Sequence, residues 1–309
     1  MRMKAALALL AGTTCAACLP VDDRPPPGVL TVNLESDDSL GPERAPFTTD
    51  DGWSISYSSF VMSIGYTQLG ESDACSDYGS AFGPGRGYNR LIELNSAEVQ
   101  RISEVRLIGT CSLGFWNRDP EDDSVLGEGV TEDMRALLLA KEDDQYTSGL
   151  GTTLYVKGEA TRGEQTKTFE WFFRQAIRHI DCEVETDAGI ERGIQLEGEE
   201  ERSYELFVRG KSLFSSTFQG EALEFAPFTS ADDEYGNGDG EITLEELDLV
   251  PLGLGRLDRA IATPANLTSF GGYVYMALVS DLVRFRTTGT CQVEQAFTEE
   301  TERALRRRD

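Results

Sequence analysis

Residues 233–247 read Asp-Glu-Tyr-Gly-Asn-Gly-Asp-Gly-Glu-Ile-Thr-Leu-Glu-Glu-Leu. Acid and amide side chains alternate there with Gly236, Gly238 and Gly240, the pattern that turns several oxygens toward one point. A hard cation such as calcium takes six to eight oxygens, and glycine permits the sharp bend that gathers them. Glu246 can add two oxygens from farther along, and Thr243 with Glu246 forms a capping box, so a helix starts where the turn ends. Other chemistry is sparse. His179 is the single histidine, on a strand-like run ending near Cys182, so any triad would have to use it. No G-x-S-x-G surrounds a serine, and H-E-x-x-H needs two histidines. Gly83-Pro-Gly-Arg-Gly87 lacks the Lys and Ser or Thr of a phosphate loop. A carboxylate pair acting on a glycosidic bond needs no histidine, and 54 acidic residues leave that chemistry open.

The turn resembles the calcium loop of the EF-hand family over about 15 of the 309 residues. With Gly240 at the family's invariant sixth position, the resemblance makes Asn237 the third ligand and Asp239 the fifth. It makes the Glu241 carbonyl the seventh and Glu246 the bidentate twelfth. Tyr235 falls where the first aspartate belongs. Asp233 lies two residues earlier, as if the loop were lengthened to fourteen residues, and Asp232 or Asp233 can swing in because Gly236 and Gly238 are permissive. The expected metal set is therefore Asp233, Asn237, Asp239, Glu241 and Glu246, holding Ca2+. Phe225–Ser230 contains Pro227 and reads as strand-like or looped, so no entering helix is expected. A lone loop of this kind implies a weak structural site, roughly 10⁻⁴ to 10⁻³ M, and not a sensor.

Net charge bounds the partners. With 28 Lys and Arg against 54 Asp and Glu, the formal charge is −26, which repels a phosphate backbone and excludes nucleic acid. At the N-terminus, Arg2 and Lys4 precede an apolar run from Ala5 to Gly12 and then small residues, the layout of a secretory signal. The segment Thr14-Cys15-Ala16-Ala17-Cys18 resembles a bacterial lipobox, which implies cleavage after residue 17 and lipidation of Cys18. Residues 18–28, with Pro25, Pro26 and Pro27, read as an extended tether. The expectation is an exported protein, lipid-anchored in the bacterial cell envelope at the outer membrane. Its membrane contact is the lipid, and the identity of a protein or glycan partner is left open.

These residues need a frame, and the remaining sequence describes one. Four further cysteines, Cys75, Cys111, Cys182 and Cys291, make an even number in an oxidising compartment. Of three possible pairings, Cys75 with Cys111 and Cys182 with Cys291 is favoured, because each then joins neighbouring or terminal strand-like segments. Runs rich in Val, Ile, Thr, Tyr and Phe recur at Val29–Leu34, Trp53–Leu69, Val105–Cys111, Thr152–Ala160, Thr166–Val184, Ser203–Val208 and Phe285–Val293. Thr161-Arg162-Gly163-Glu164 suits a hairpin. Helices are expected from a cap at Thr131 to Lys141, along an apolar stripe in Ala265–Phe285, and at Thr298–Asp309. Arg306, Arg307 and Arg308 read as a solvated tail, and the acidic runs Asp119–Asp123, Asp143–Asp144 and Glu197–Glu201 as solvated loops. The fold class is mainly β: one antiparallel β-sandwich over residues 29–297 with a few helical insertions, the calcium loop at 233–246, and a C-terminal tail at 298–309. The functional expectation is a non-enzymatic, calcium-binding envelope lipoprotein with a binding or structural role. The alternative is an envelope hydrolase using a carboxylate pair, possible substrates including polysaccharide.

Overall fold

A computed structural model describes residues 25–65, 75–80, 89–96, 99–142, 149–186, 189–217, 220–252, 268–286 and 289–307. The leader, Cys18, the first part of the tether, the loop at 83–87 and Asp143–Asp144 lie outside the described residues. Strands begin with β1 (Gly28–Ser36), β2 (Phe47–Thr48), β3 (Ser54–Gly65), β4 (Cys75–Ser80), β5 (Asn89–Glu93) and β6 (Val99–Cys111). Then come β7 (Phe115–Asn117), β8 (Val125–Leu126), β9 (Leu154–Arg162), β10 (Gln165–Phe173), β11 (Ala176–Ile180) and β12 (Glu183–Thr186). The last are β13 (Gly189–Arg192), β14 (Ile194–Leu196), β15 (Glu201–Val208), β16 (Glu241–Ile242), β17 (Val283–Phe285) and β18 (Gln292–Ala296). The α-helices are α1 (Glu132–Leu139), α2 (Ala226–Ser230), α3 (Leu244–Leu249), α4 (Phe270–Tyr273) and α5 (Glu299–Arg306).

One sheet runs β14-β6-β1-β15-β17 with β4 also on β6; the larger runs β16-β10-β9-β3-β7-β11-β18, with β2 and β5 on β3 and β8 on β5. The alternation read from the sequence holds on β10, where Phe169, Trp171 and Phe173 are buried and Glu170 and Phe172 only partly so. Leu30, Val32 and Leu34 of β1 and Leu206 and Val208 of β15 share one core with these aromatics, which makes the two sheets a sandwich. Burying a large apolar side chain stabilises by roughly 1.5–3 kcal/mol, so this shared face carries much of the folding energy.

The sandwich is mixed where an antiparallel one was expected. The pairs β1 with β15, β5 with β8, and β10 with β16 are parallel. The first follows from chain order: β15 reaches β1 only after the chain has built most of the other sheet, and so long a crossover permits parallel pairing. Both expected disulfides are present, Cys75 with Cys111 and Cys182 with Cys291, closing spans of 36 and 109 residues. In the chain-entropy picture each stabilises by roughly 3–5 kcal/mol.

Several local expectations hold. Gly163, in the left-handed region at φ 63°, turns β9 into β10 with Arg162 paired to Gln165. The Thr131 side chain accepts from the Met134 N–H and caps α1. Others need correction. The run 166–184 is three strands with two breaks: at Arg174 and Gln175, where Arg174 N donates to the Tyr275 hydroxyl at 2.5 Å and the Gln175 carbonyl accepts from Thr153 Oγ1 at 2.7 Å, and at Asp181, which takes φ 50° before Cys182 N donates to the Leu113 carbonyl. The stripe ending at Phe285 is buried, but its helical part stops at Asp281 and Val283–Phe285 pairs with β15 as a strand. Residues 253–267 lie outside the described residues. Finally, Arg307 is exposed as expected but Arg306 is only about a third exposed: α5 packs Leu305 with Trp116, Ala176 and Ala296, and Arg306 bonds Glu302 and Glu121.

Candidate metal centre

Strand β10 positions the acidic loop. Its inward register is Lys167, Phe169, Trp171 and Phe173. Thr168 and Phe169 pair in parallel with Glu241 and Ile242 of β16, Thr168 N donates to the Gly240 carbonyl at 2.8 Å, and Trp171 Nε1 donates to the Ile242 carbonyl at 2.8 Å. The second half of the loop is thereby fixed to the sheet edge.

The first half hangs from a helix that the sequence reading did not expect. Pro227 lies in the first turn of α2, where its missing N–H has no helical acceptor to lose. Asp51, from the turn between β2 and β3, caps that helix: its carboxylate accepts from Phe225 N at 3.1 Å and Ala226 N at 2.7 Å. Phe225 and Phe228 then pack on Trp53, Trp171 and Phe214. The chain continues through a π-helical turn, Ala231–Tyr235, before entering the loop. On the far side the capping box is complete: Thr243 Oγ1 accepts from Glu246 N, and Glu246 Oε2 accepts from Thr243 N. Helix, loop, short strand and helix are thus all present.

Of the two aspartates at the start of the loop, Asp232 is the one turned inward. The π-helical turn buries Asp232 completely and leaves Asp233 about half exposed at the rim. Asp232 Oδ2 accepts from Gly240 N at 3.0 Å, so the carboxylate faces the loop that closes on it. Its Oδ1 is buried without a hydrogen-bond partner. Measured from Asp232 to Glu246, the lengthening amounts to three residues beyond the family's twelve. Tyr235 points outward, 43 % exposed. Asn237 Oδ1 accepts from Asp239 N, Asp239 Oδ1 from Glu241 N, and Glu246 Oε1 from Asn237 N at 3.1 Å. Gly236 is obligatory here, since a Cβ would collide with the Glu246 carboxylate and lie 2.7 Å from the Ala231 carbonyl.

A cationic group already touches this loop. Lys167 Nζ lies 2.5 Å from Asp232 Oδ2 and 2.5 Å from Asp233 Oδ1, on a side chain 9 % exposed. Burial works against its charge, but the hydrogen bonds to both carboxylates outweigh it and raise the ammonium above the ordinary lysine value. Among the described residues, no three or more His, Cys, Asp or Glu side chains are gathered as a metal-binding group. The donors nevertheless fit calcium by type: they are hard oxygens, and one of them is a buried carboxylate oxygen that meets no donor. Asp232, Asn237, Asp239, the Glu241 carbonyl and Glu246 are the residues that would hold the ion. Asp233 would stay with Lys167.

Two other groups bear on chemistry. His179 is 3 % exposed and stacks on Phe115 with ring centres 4.1 Å apart. Burial, and then the charge of Arg284, lowers its pKa to about 3. Asp119 is buried, contrary to the solvated loop expected for its run. Its Oδ1 accepts from Gly151 N at 2.5 Å, because the chain after α1 folds back over it. Burial, and then the Glu302 charge, raises it to about 6. Burial also raises Glu302, against Arg306 and Arg118. Both acids border a groove of about 370 Å3 with Lys141, Glu299, Arg303 and Arg306.

Sequence reasoning missed Lys167 and Asp51 as parts of this loop. Asp51 follows a threonine two residues before it in a turn, a capping composition, but nothing local says which helix it caps. Lys167 interrupts the apolar side of β10, and a charge on an inward register is the signal that could have found it. No protein-family model matches the chain, no curated protein matches it, and no solved structure matches it. Among the described residues no helix is long and apolar enough to cross a membrane.

Proposed function

We propose that the chain is a calcium-binding, non-enzymatic lipoprotein of the bacterial cell envelope with a binding or structural role. The observation that carries this reading is the buried Asp232 carboxylate, whose Oδ1 has no partner, facing a loop of acid, amide and carbonyl oxygens between a capped entering helix and a capped exiting helix. Calcium there would tie α2, the edge of β10 and α3 together, which is a structural task. The lipobox-like Cys18 supports the anchored address, and the two disulfides are compatible with export. Equilibrium dialysis of the oxidised full chain against millimolar calcium should give one bound ion, lost in Glu246→Gln. No bound calcium in the unaltered protein would overturn the reading.

The hydrolase alternative draws on Asp119 and Glu302, two carboxyls both raised in one groove. Against it, Asp119 is 5 % and Glu302 1 % exposed, and among the described residues no aromatic side chain lines the groove to stack a sugar.

A further inference from the structure

Resting on that reading, we infer that Lys167 is a built-in competitor of calcium: its ammonium holds the Asp232 carboxylate, so an ion entering the loop must displace it. Three observations support this. Lys167 is the charged member of the inward register of β10, so its stem runs along the core face and delivers Nζ to the end of the sheet where the loop closes. Its Nζ contacts Asp232 and Asp233 together, while Asp232 Oδ2 also takes the Gly240 N–H, so the lysine and the loop backbone share one carboxylate oxygen. The other oxygen, Oδ1, is buried and meets no donor, which leaves the carboxylate half satisfied by the lysine and able to gain from a second cation.

The two cations are unequal. An ammonium offers three donors and one charge; calcium offers two charges and takes six to eight oxygens at 2.3–2.6 Å. Both cannot sit on Asp232 at full strength, because a doubly charged ion beside an ammonium at low local dielectric is strongly repelled. Calcium binding therefore includes the cost of moving Lys167 onto Asp233 alone, or into water, and the apparent affinity is lowered by that cost. In exchange, the loop keeps its shape without relying on the ion. Lys167 lies next to Thr168, whose N–H holds the Gly240 carbonyl, so its release acts directly on the junction of loop and sheet.

The test uses the oxidised full chain with calcium chloride as the titrant. Lys167→Met keeps the apolar stem and deletes the charge. It is expected to bind calcium at least tenfold more tightly than the unaltered protein, a change of about 1.4 kcal/mol. It is also expected to melt lower in chelator, because Asp232 is then buried without a cation. Lys167→Arg, which keeps a cation, should bind as the unaltered chain does. A readout that needs no variant is the rate at which acetic anhydride acetylates Lys167, followed by mass spectrometry: calcium should raise it severalfold and magnesium at equal concentration much less. If Lys167→Met binds calcium no more tightly, or the acetylation rate ignores calcium in a protein that binds it, the competitor role is overturned while the calcium loop stands. If neither protein binds calcium, the loop reading fails and this inference with it.

Discussion

His179→Gln removes the chain's single histidine, and the buried site makes its effect calculable. In the unfolded chain the ring takes a proton near its ordinary 6.5; in the fold it waits until about 3. Between those values the unfolded state binds more protons, so this group's contribution is fully present above pH 6.5 and is lost as pH falls toward 3. At 1.36 kcal/mol per unit, the loss between pH 7 and pH 5 is about 2 kcal/mol. Asp119 acts with the opposite sign. Its carboxyl is raised from 3.8 to about 6, so the folded state binds more protons in that window, and stability rises as pH falls through 6. Over the same interval that gain is about 1.3 kcal/mol, which offsets about two thirds of the histidine's loss. Urea unfolding at pH 7, 6 and 5, with disulfides intact, should therefore show the His179→Gln protein gaining about 2 kcal/mol on the unaltered chain as the pH drops. Asp119→Asn, which retains an acceptor for Gly151 N, should fall behind by about 1.3 kcal/mol over the same range. Any loss of stacking on Phe115 is a constant offset and leaves the slope alone. A His179→Gln difference that stays within ~0.5 kcal/mol from pH 7 to pH 5 would refute the buried, neutral histidine.

Two further substitutions probe how the loop is held. Gly236→Ala forces a methyl against the Glu246 carboxylate and the Ala231 carbonyl; it should cost about 1–3 kcal/mol in urea unfolding and weaken calcium binding, whereas a neutral result would mean that Glu246 is not fixed over this glycine. Asp51→Ala removes the cap of α2, more than 170 residues away in sequence; it should cost about 0.5–2 kcal/mol, read by chemical denaturation, and a change below that range would show that the entering helix does not depend on it.

How much of this was legible depended on whether a residue's partner lay nearby in sequence. The Gly163 hairpin, the Thr131 cap and the Thr243–Glu246 capping box are contacts between residues two to four apart, and their chemistry can be read directly. The inward face of β10 was legible for the same reason, since period-two alternation is local. The disulfide pairing was legible because each bond joins segments at neighbouring strands, β4 with β6 and the ends of β11 with β18. Parallel pairing of β1 with β15 was not legible, because strand direction is decided by a crossover of more than 160 residues. In the loop, Asn237, Asp239 and Glu246 were named from spacing. The choice between Asp232 and Asp233 was not available from spacing, because it turns on a π-helical turn whose direction is set by the packing of Phe225 and Phe228. The same packing carries Pro227 into a first helical turn, where proline is well suited and where the sequence alone suggested a loop.

The most direct test of the calcium loop is the melting temperature of the oxidised full chain in 10 mM calcium and in chelator, with Asp239→Ala beside it. For a site of roughly 10⁻⁴ to 10⁻³ M, that concentration adds about 1.4–2.7 kcal/mol, a rise of a few degrees for a domain of this size. The expected result is such a rise in the unaltered protein and none in Asp239→Ala. Identical melting in calcium and chelator for the unaltered chain would contradict it and leave the loop a turn held by Lys167 and its own hydrogen bonds.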